Sequence, residues 1–338
     1  MTAARDVRTG DGKDAAPRTG PSRSGLARGL AWLRQQYPLL ILVALLVVAS
    51  ATSDAFLSTR NLENLVLQMS VIGIVTLAEF IVVLSGGIDI SVGSVLGLAC
   101  VLSAGLFGGS SVLLAVLVAL VVGAGLGAVN GFLVAFRGLE PFIVTLGMLA
   151  LARGLVYAYT EGSPVSPSAE GFTLAGTSTV AGVPVLGVVW VGAAVLLGLL
   201  LRRTVFGRRV YAVGSRPEAA HAAGVPVRGT LMGVYVLAGT LVGLGGFLLA
   251  SRVGAGTPTA GNLFELDAIA AVVIGGARLS GGQGRVFGAV VGTVIFGVIT
   301  NLLVLLNVST FLQDAFRGAL ILIAITLATI GRSSVRHP

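Results

Sequence analysis

Residues 91–136 contain no Asp, Glu, Lys or Arg, and this long apolar stretch constrains the fold more than any other feature of the sequence. Similar stretches recur along the chain of 338 residues, of which only 11% are charged. A typical soluble domain has about 25% charged residues, so this chain has too few polar side chains to cover a water-exposed surface. We therefore expect a membrane protein whose apolar stretches cross the bilayer as helices.

The apolar stretches predict an all-α, polytopic transmembrane bundle of about ten spans, because a helix needs about 20 apolar residues to cross a bilayer. The short stretch at 265–277 predicts a broken or re-entrant helix. The first stretch also resembles the apolar region of a signal peptide, but the many spans that follow favour a membrane helix. The predicted spans are 38–54, 61–84, two within 91–136 that are joined by a turn at 107–110, 140–159, 183–201, 229–251, 265–277, 286–306 and 311–330.

The distribution of arginine predicts the orientation of the spans. If the N-terminus is cytoplasmic, alternation of the spans places the arginine-rich segments at 137, 202–209, 278–285 and 332–336 on the cytoplasmic side, as the positive-inside rule requires. We predict a disordered, basic cytoplasmic tail at 1–36, a transmembrane domain at 37–331 and a short cytoplasmic tail at 332–338. Membrane anchoring thus explains the net charge of +8, and we expect no nucleic acid as partner.

Glycines recur at four-residue intervals within several predicted spans. This spacing places small residues on one face of a helix and lets two helix backbones approach each other closely in lipid. We therefore predict a tightly packed bundle. The glycine sets are Gly93 with Gly97, Gly123 with Gly127 and Gly131, Gly239 with Gly243, and Gly288 with Gly292.

The residues that enzymes and metal sites need are scarce. The sequence contains no G-x-x-x-x-G-K-[ST] motif, and its only lysine is Lys13, so the chain cannot itself be a P-loop ATPase. The single cysteine, Cys100, excludes an intramolecular disulfide, and both histidines lie outside the predicted spans. We therefore expect no enzymatic activity, no cofactor and no metal.

The predicted cytoplasmic loop at 202–229 contains a short helix. Ser215 and Glu218 have the S-x-x-E spacing of a capping box, Ala219 and Ala220 are strong helix formers, and Gly224 is expected to end the helix. A helix of about two turns is marginal alone in water and has no large apolar face here. We expect it to dock into a cleft of another protein; the alternative is a surface helix packed on its own loops.

This helix resembles the E-A-A-x-x-x-G signature of the permease subunits of ABC importers. Other segments are similar to the ribose/xylose/arabinose-type sugar permeases within the branched-chain amino acid/sugar permease superfamily. Glu79 departs from their pattern, in which the residue is usually uncharged. The similar segments are S-G-x-I-D-L-S-V-G at 84–93, F-I-x-T-L at 141–147, T-x-G-x-P at 159–164, and those at 258–261, 265–276 and 280–285.

The resemblance implies a division of labour among several subunits. Two copies of the permease would form the pore, an ABC ATPase subunit would grip the short helix, and an extracytoplasmic solute-binding protein would deliver a monosaccharide or similar small polar solute. Specificity would then reside mostly in the binding protein. The implied location is the bacterial cytoplasmic membrane, with both termini cytoplasmic.

Two sets of residues are candidates for function. For ATPase coupling they are Ser215, Glu218, Ala219, Ala220 and Gly224, with Arg208 and Arg209 as partners of acidic ATPase residues or of lipid phosphates. For the solute path they are Asp89, Ser91, Asn130, Thr145, Glu265 and Asp267, because polar groups inside a membrane are costly and tend to mark transport paths. Asp89 and Asp267 could instead cap helices.

Three other functions remain open at this stage. An ion-coupled secondary transporter would need no ATPase, but it usually requires membrane-embedded acids as ion relays. This sequence has few such acids, of which Glu79 is the clearest, and their small number does not exclude this function. A membrane enzyme is disfavoured by the missing catalytic residues. A branched-chain amino-acid ABC permease belongs to the same superfamily, and only the sugar-type segments argue against it.

Overall fold

The structure, a computed structural model, describes residues 37–106, 111–167 and 169–333, which form thirteen helices and one short β-hairpin. The hairpin pairs β1 (Thr179–Val180) with β2 (Val183–Pro184) in antiparallel orientation. The helices are α1 (Tyr37–Thr52), α2 (Thr59–Leu84), α3 (Val92–Gly105), α4 (Val112–Ala135), α5 (Pro141–Thr160), α6 (Leu174–Thr177), α7 (Val185–Arg203), α8 (Val205–Ser215), α9 (Pro217–Ala222), α10 (Val227–Val253), α11 (Phe264–Ile274), α12 (Val286–Leu305) and α13 (Thr310–Ser333).

The predicted all-α, polytopic membrane protein is confirmed. Each of the ten predicted spans coincides with a helix, and α2, α4, α5, α7, α10 and α12 are long and apolar enough to cross a membrane. Helices α1 and α3 are apolar but shorter. Helix α11 has 11 residues, about 16 Å of rise, in keeping with the short stretch seen in the sequence. The predicted tail at 1–36, the turn at 107–110 and residues 334–338 lie outside the described residues.

Helices α2 and α10 form the centre of the bundle. Helix α2 is buried continuously from Met69 to Leu84, and α10 packs against α2, α3 and α4. The outer helices expose large apolar side chains, such as Val121 on α4, Ile143 on α5 and Leu196 on α7. An apolar outer surface on this scale fits contact with lipid tails and would be unfavourable in water.

The interface between α4 and α10 is built from the predicted glycines. A Cβ atom at Gly123 would collide with the carbonyl oxygen of Gly239, and one at Gly243 would collide with that of Ala119. Gly125, on the same helix α4, faces open space instead. The two backbones therefore lie in direct contact along one face, as the four-residue spacing predicted.

Helix α8 lies across one end of the bundle. It buries Val210, Val213 and Gly214, and a Cβ atom at Gly214 would collide with the carbonyl oxygen of Leu84, the last residue of α2. The same carbonyl accepts a hydrogen bond of 2.9 Å from the amide of Gly282. Helix α8 thus contacts both the end of α2 and the turn before α12, and it carries the short helix α9 at its own C-terminal end.

Candidate solute path and docking helix

The predicted capping box does not form, although the short helix does. Ser215 is the last residue of α8, and its hydroxyl donates to the carbonyl oxygen of Tyr211 at 2.8 Å. The N-cap of α9 is Arg216, which has an extended backbone, and its side chain makes no capping hydrogen bond in the described structure. Ser215 lies within α8, one residue before the N-cap position of α9, so its predicted role as the cap of α9 is wrong.

Helix α9 ends as predicted. Gly224 has a φ of 78°, and its amide donates to the carbonyl oxygen of His221 at 2.9 Å. The amide of Val225 donates to the carbonyl oxygen of Ala220 at 3.0 Å. These two bonds form a Schellman motif, in which the left-handed residue is usually glycine. Ala220 is buried, and both Glu218 and Ala219 are exposed. One side of α9 therefore packs on its own chain and the other is free in this chain to meet a partner.

Four of the six predicted solute-path residues come together at the loop between α2 and α3. The carboxylate of Asp89 accepts hydrogen bonds from the amide of Ser91 at 2.8 Å and from its hydroxyl at 2.5 Å. The Ser91 hydroxyl in turn accepts from the side-chain amide of Asn130, on α4, at 3.1 Å. The Thr145 hydroxyl, on α5, accepts from the amide of Ile90 at 3.3 Å. Loop and helices are thus joined by a chain of buried polar contacts.

Glu79 joins this group from α2. Its side chain is fully buried, and Oε1 accepts from the amide of Asp89 at 3.3 Å. We call Glu79, Asp89, Ser91, Asn130 and Thr145 the Asp89 cluster. Asp89 also accepts from the amide of Ser91, the residue that precedes α3, and so holds the loop, although it does not cap the first turn of α3.

Three buried oxygens at or beside the Asp89 cluster have no hydrogen-bond partner among the described residues. They are Oε2 of Glu79, Oδ1 of Asn130 and the hydroxyl of Tyr235, which lies on α10 next to Gly87. Leaving a buried polar atom unpaired costs about 1–3 kcal/mol, so such atoms tend to be kept for a ligand or water. The cluster therefore has unused hydrogen-bonding capacity that a polar ligand or a water molecule could meet.

Glu265 and Asp267, the other two predicted residues, do not join the cluster. The Glu265 carboxylate lies against Gly93 on α3, and Asp267 lies 4.0 Å from the guanidinium of Arg317 on α13. Arg317 is also 3.4 Å from Asp314. Asp267 is in the first turn of α11 but pairs across to α13, so it ties two helices together at a point separate from the cluster.

The sequence reasoning missed three polar residues inside the bundle. Arg153 on α5 donates to the carbonyl oxygens of Pro258 and Ala260, both at 3.0 Å, and Arg317 pairs with Asp267. Each arginine stands inside a predicted apolar span, which was an available signal because a charge at that depth needs partners. Tyr235 gave no such signal, since a tyrosine in an apolar helix is usually core.

We expect Glu79→Gln to leave thermal stability almost unchanged, because the amide oxygen can still accept from the Asp89 amide. Glu79→Leu removes that acceptor and should destabilise the protein by about 1–3 kcal/mol. The melting temperature of each purified variant measures the difference. A Leu variant as stable as the Gln variant would show that Glu79 does not hold the loop, and a stable Gln variant without transport would assign the acid itself a role in translocation.

The described residues contain no group of three His, Cys, Asp or Glu side chains arranged to hold a metal ion. The buried acids of the Asp89 cluster are instead surrounded by hydroxyl and amide groups. The chemistry available there is hydrogen bonding to a polar ligand.

The family model that matches the chain is described as the branched-chain amino acid transport system permease component, and it matches residues 61–325. The ribose import permease protein of Bacillus subtilis (strain 168) is 41% identical over 293 residues, which cover 86% of this chain and 91% of that protein. The corresponding protein of Escherichia coli (strain K12) is 39% identical over 302 residues, with 87% and 94% covered. The E. coli (strain K12) xylose transport system permease protein is 36% identical over 369 aligned positions, with 89% and 94% covered. No solved structure matches the chain.

Proposed function

The chain belongs to the family of branched-chain amino acid transport system permease components, and from this membership we propose that it is the membrane-spanning subunit of an ABC importer for a pentose such as ribose or xylose. The observation that carries the proposal is the identity of 36–41% with ribose and xylose permeases over nearly the whole chain. The family model is described by branched-chain amino acid transport, so the choice of a sugar is supported by the relatives and not by the family model.

We propose that a separate ATPase subunit drives transport by gripping α9. The exposure of Glu218 and Ala219 supports this, as does the length of α9, which is too short to be stable without neighbours. Arg208 and Arg209 are exposed on α8, the helix that precedes α9, and can meet acidic groups of the ATPase. In this arrangement the chain supplies the docking surface, and ATP is hydrolysed on the partner.

A series of close backbone contacts connects α9, the proposed docking helix, to the Asp89 cluster. Helix α8 presses on the end of α2 through Gly214, and the residues immediately after Leu84 form the loop that contains Asp89. Glycine-lined contacts of this kind leave no flexible side chain to absorb a displacement. A tilt of α8 imposed by the ATPase would therefore move the loop and open or close the cluster, as alternating access requires.

The remaining partners and the orientation follow from the same proposal. A second copy of the chain completes the pore, an extracytoplasmic solute-binding protein delivers the sugar, and the protein lies in the cytoplasmic membrane with both termini and α9 on the cytoplasmic side. The arginines at the α7–α8 end of the bundle support this orientation through the positive-inside rule.

Uptake by proteoliposomes tests the proposed function. We expect the permease, reconstituted with its ATPase and its binding protein, to accumulate radiolabelled ribose or xylose only when ATP is present, and to continue when an uncoupler removes ion gradients. Uptake that stops with the uncoupler and ignores ATP would make the chain a secondary transporter. ATP-dependent uptake of leucine in place of either sugar would make it an amino-acid permease.

A further inference from the structure

A groove on the outside of the bundle has a composition unlike that of the solute path. It has a volume of about 1070 Å³ and lies between α7, α8 and the start of α12. Apolar side chains line most of its length, among them Trp190, Val195 and Leu199 on α7. One end is basic and is lined by Arg202, Arg203 and Arg285.

The three arginines form a positive patch without an internal counter-charge. All three are exposed, and none of them takes part in an ion pair within the part of the chain that the structure describes. Among the described residues, no acidic side chain lines the groove. Beside them, the Tyr211 hydroxyl donates to the carbonyl oxygen of Gly284 at 3.0 Å. Burial raises the pKa of that hydroxyl, whereas the nearby charges of Arg285 and Arg202 lower it.

The dimensions of the groove indicate what it holds. Trp190 and Arg202 are twelve positions apart on α7, which corresponds to about 18 Å of helix rise. Half of a bilayer's hydrocarbon core of about 30 Å is about 15 Å. The groove therefore spans about one leaflet, with apolar walls at the depth of acyl chains and arginines at the level of headgroups. A water-soluble partner would gain no favourable contacts from apolar walls at that depth in the membrane.

We propose that this groove binds one anionic phospholipid, with its phosphate on Arg202, Arg203 and Arg285 and an acyl chain along α7. Basic pockets at the membrane surface recognise such headgroups, and arginine pairs well with phosphate because its planar group donates two parallel hydrogen bonds. The bound lipid would fill the space between α7 and α12 and stabilise α8, the helix that leads directly into the docking helix α9.

Native mass spectrometry of the full chain, titrated with phosphatidylglycerol or phosphatidylcholine, tests the basic end of the groove. We expect the wild type to prefer phosphatidylglycerol. The Arg202→Gln, Arg285→Gln double variant should lose affinity on the order of 30-fold, since each arginine near the surface strengthens binding about fivefold and the two factors multiply. The control Arg137→Gln, Arg228→Gln removes the same charge from exposed sites outside the groove and should change the affinity less than about threefold.

A second pair of variants tests the apolar wall without changing charge. Gly198 lines the groove and has nothing within 4 Å of an added Cβ, so we expect the side chain of Gly198→Leu to enter the groove without a backbone collision. Gly192 is equally open but lies outside the groove, and Gly192→Leu is the matched control. We expect only Gly198→Leu to displace the lipid.

Three outcomes would overturn the proposal. The first is equal affinity of the wild type for the two lipids. The second is an equal loss of affinity for phosphatidylglycerol in the groove variants and in their controls. Either result would mean that the lipid is held only by diffuse attraction at the membrane surface. Release of the ATPase by Arg202→Gln, Arg285→Gln with unchanged lipid binding would reassign the patch to a protein partner.

Discussion

Replacing Glu218 by Lys is expected to reduce ATP-driven sugar import by about tenfold or more, because truncating or reversing a charge inside a docking interface typically costs about 2–5 kcal/mol. Glu218 is exposed on α9, so reversing its charge breaks no contact within the chain, and the variant should fold and melt like the wild type. The readouts are uptake by proteoliposomes and the amount of ATPase that copurifies.

Glu63→Lys is the matched control for this variant. Glu63 is also exposed and lies near the start of α2, whereas α8, the helix that leads into α9, contacts the end of α2. The same change of charge there should leave import and copurification intact. Import at the wild-type rate by Glu218→Lys, with the ATPase still bound, would mean that α9 is an ordinary surface helix.

The second large effect is expected from Gly123→Leu, which should destabilise the bundle by on the order of 3 kcal/mol. Any side chain at Gly123 meets the backbone of α10 at Gly239, and two helix backbones in contact cannot absorb the added volume. The melting temperature in detergent, followed by size-exclusion chromatography after heating, measures the loss.

Gly125→Leu separates this packing effect from an effect on helix propensity. It makes the same substitution on the same helix, two positions away, where an added Cβ meets nothing within 4 Å. This control should match or exceed the stability of the wild type, because leucine is a better helix former than glycine. If both variants lost equal stability, the contact between α4 and α10 would not be the reason.

The positions of the helices could be predicted because the bilayer fixes the length of an apolar span, and the glycine spacing revealed which faces meet. Residues 107–110, the predicted turn between α3 and α4, lie outside the described structure. The capping box was wrong for a tertiary reason. Gly214 packs against Leu84 as part of α8, and α8 continues through Ser215, so the N-cap position of α9 falls on Arg216.

The candidate site was predicted in part. Asp89, Ser91, Asn130 and Thr145 come from three separate parts of the sequence, and only their polarity within apolar surroundings linked them. Glu265 and Asp267 lie outside the Asp89 cluster, and their place on the solute path remains a prediction. Residues two positions apart on a helix face away from each other, so these two contact α3 and α13 respectively, a difference that helix geometry alone could have revealed.

A cross-link between α9 and the ATPase is the most direct test of the central claim that this chain is driven by a separate ATPase held at its short helix. Ala219→Cys and Thr179→Cys each introduce one exposed thiol, on α9 and on the hairpin at the other end of α7, while the native Cys100 is fully buried. After treatment of intact membranes with a photoactivatable thiol reagent, we expect the ATPase to be captured from position 219 and not from 179. Capture from 179 alone, or from neither position while ATP-driven uptake proceeds, would contradict the account.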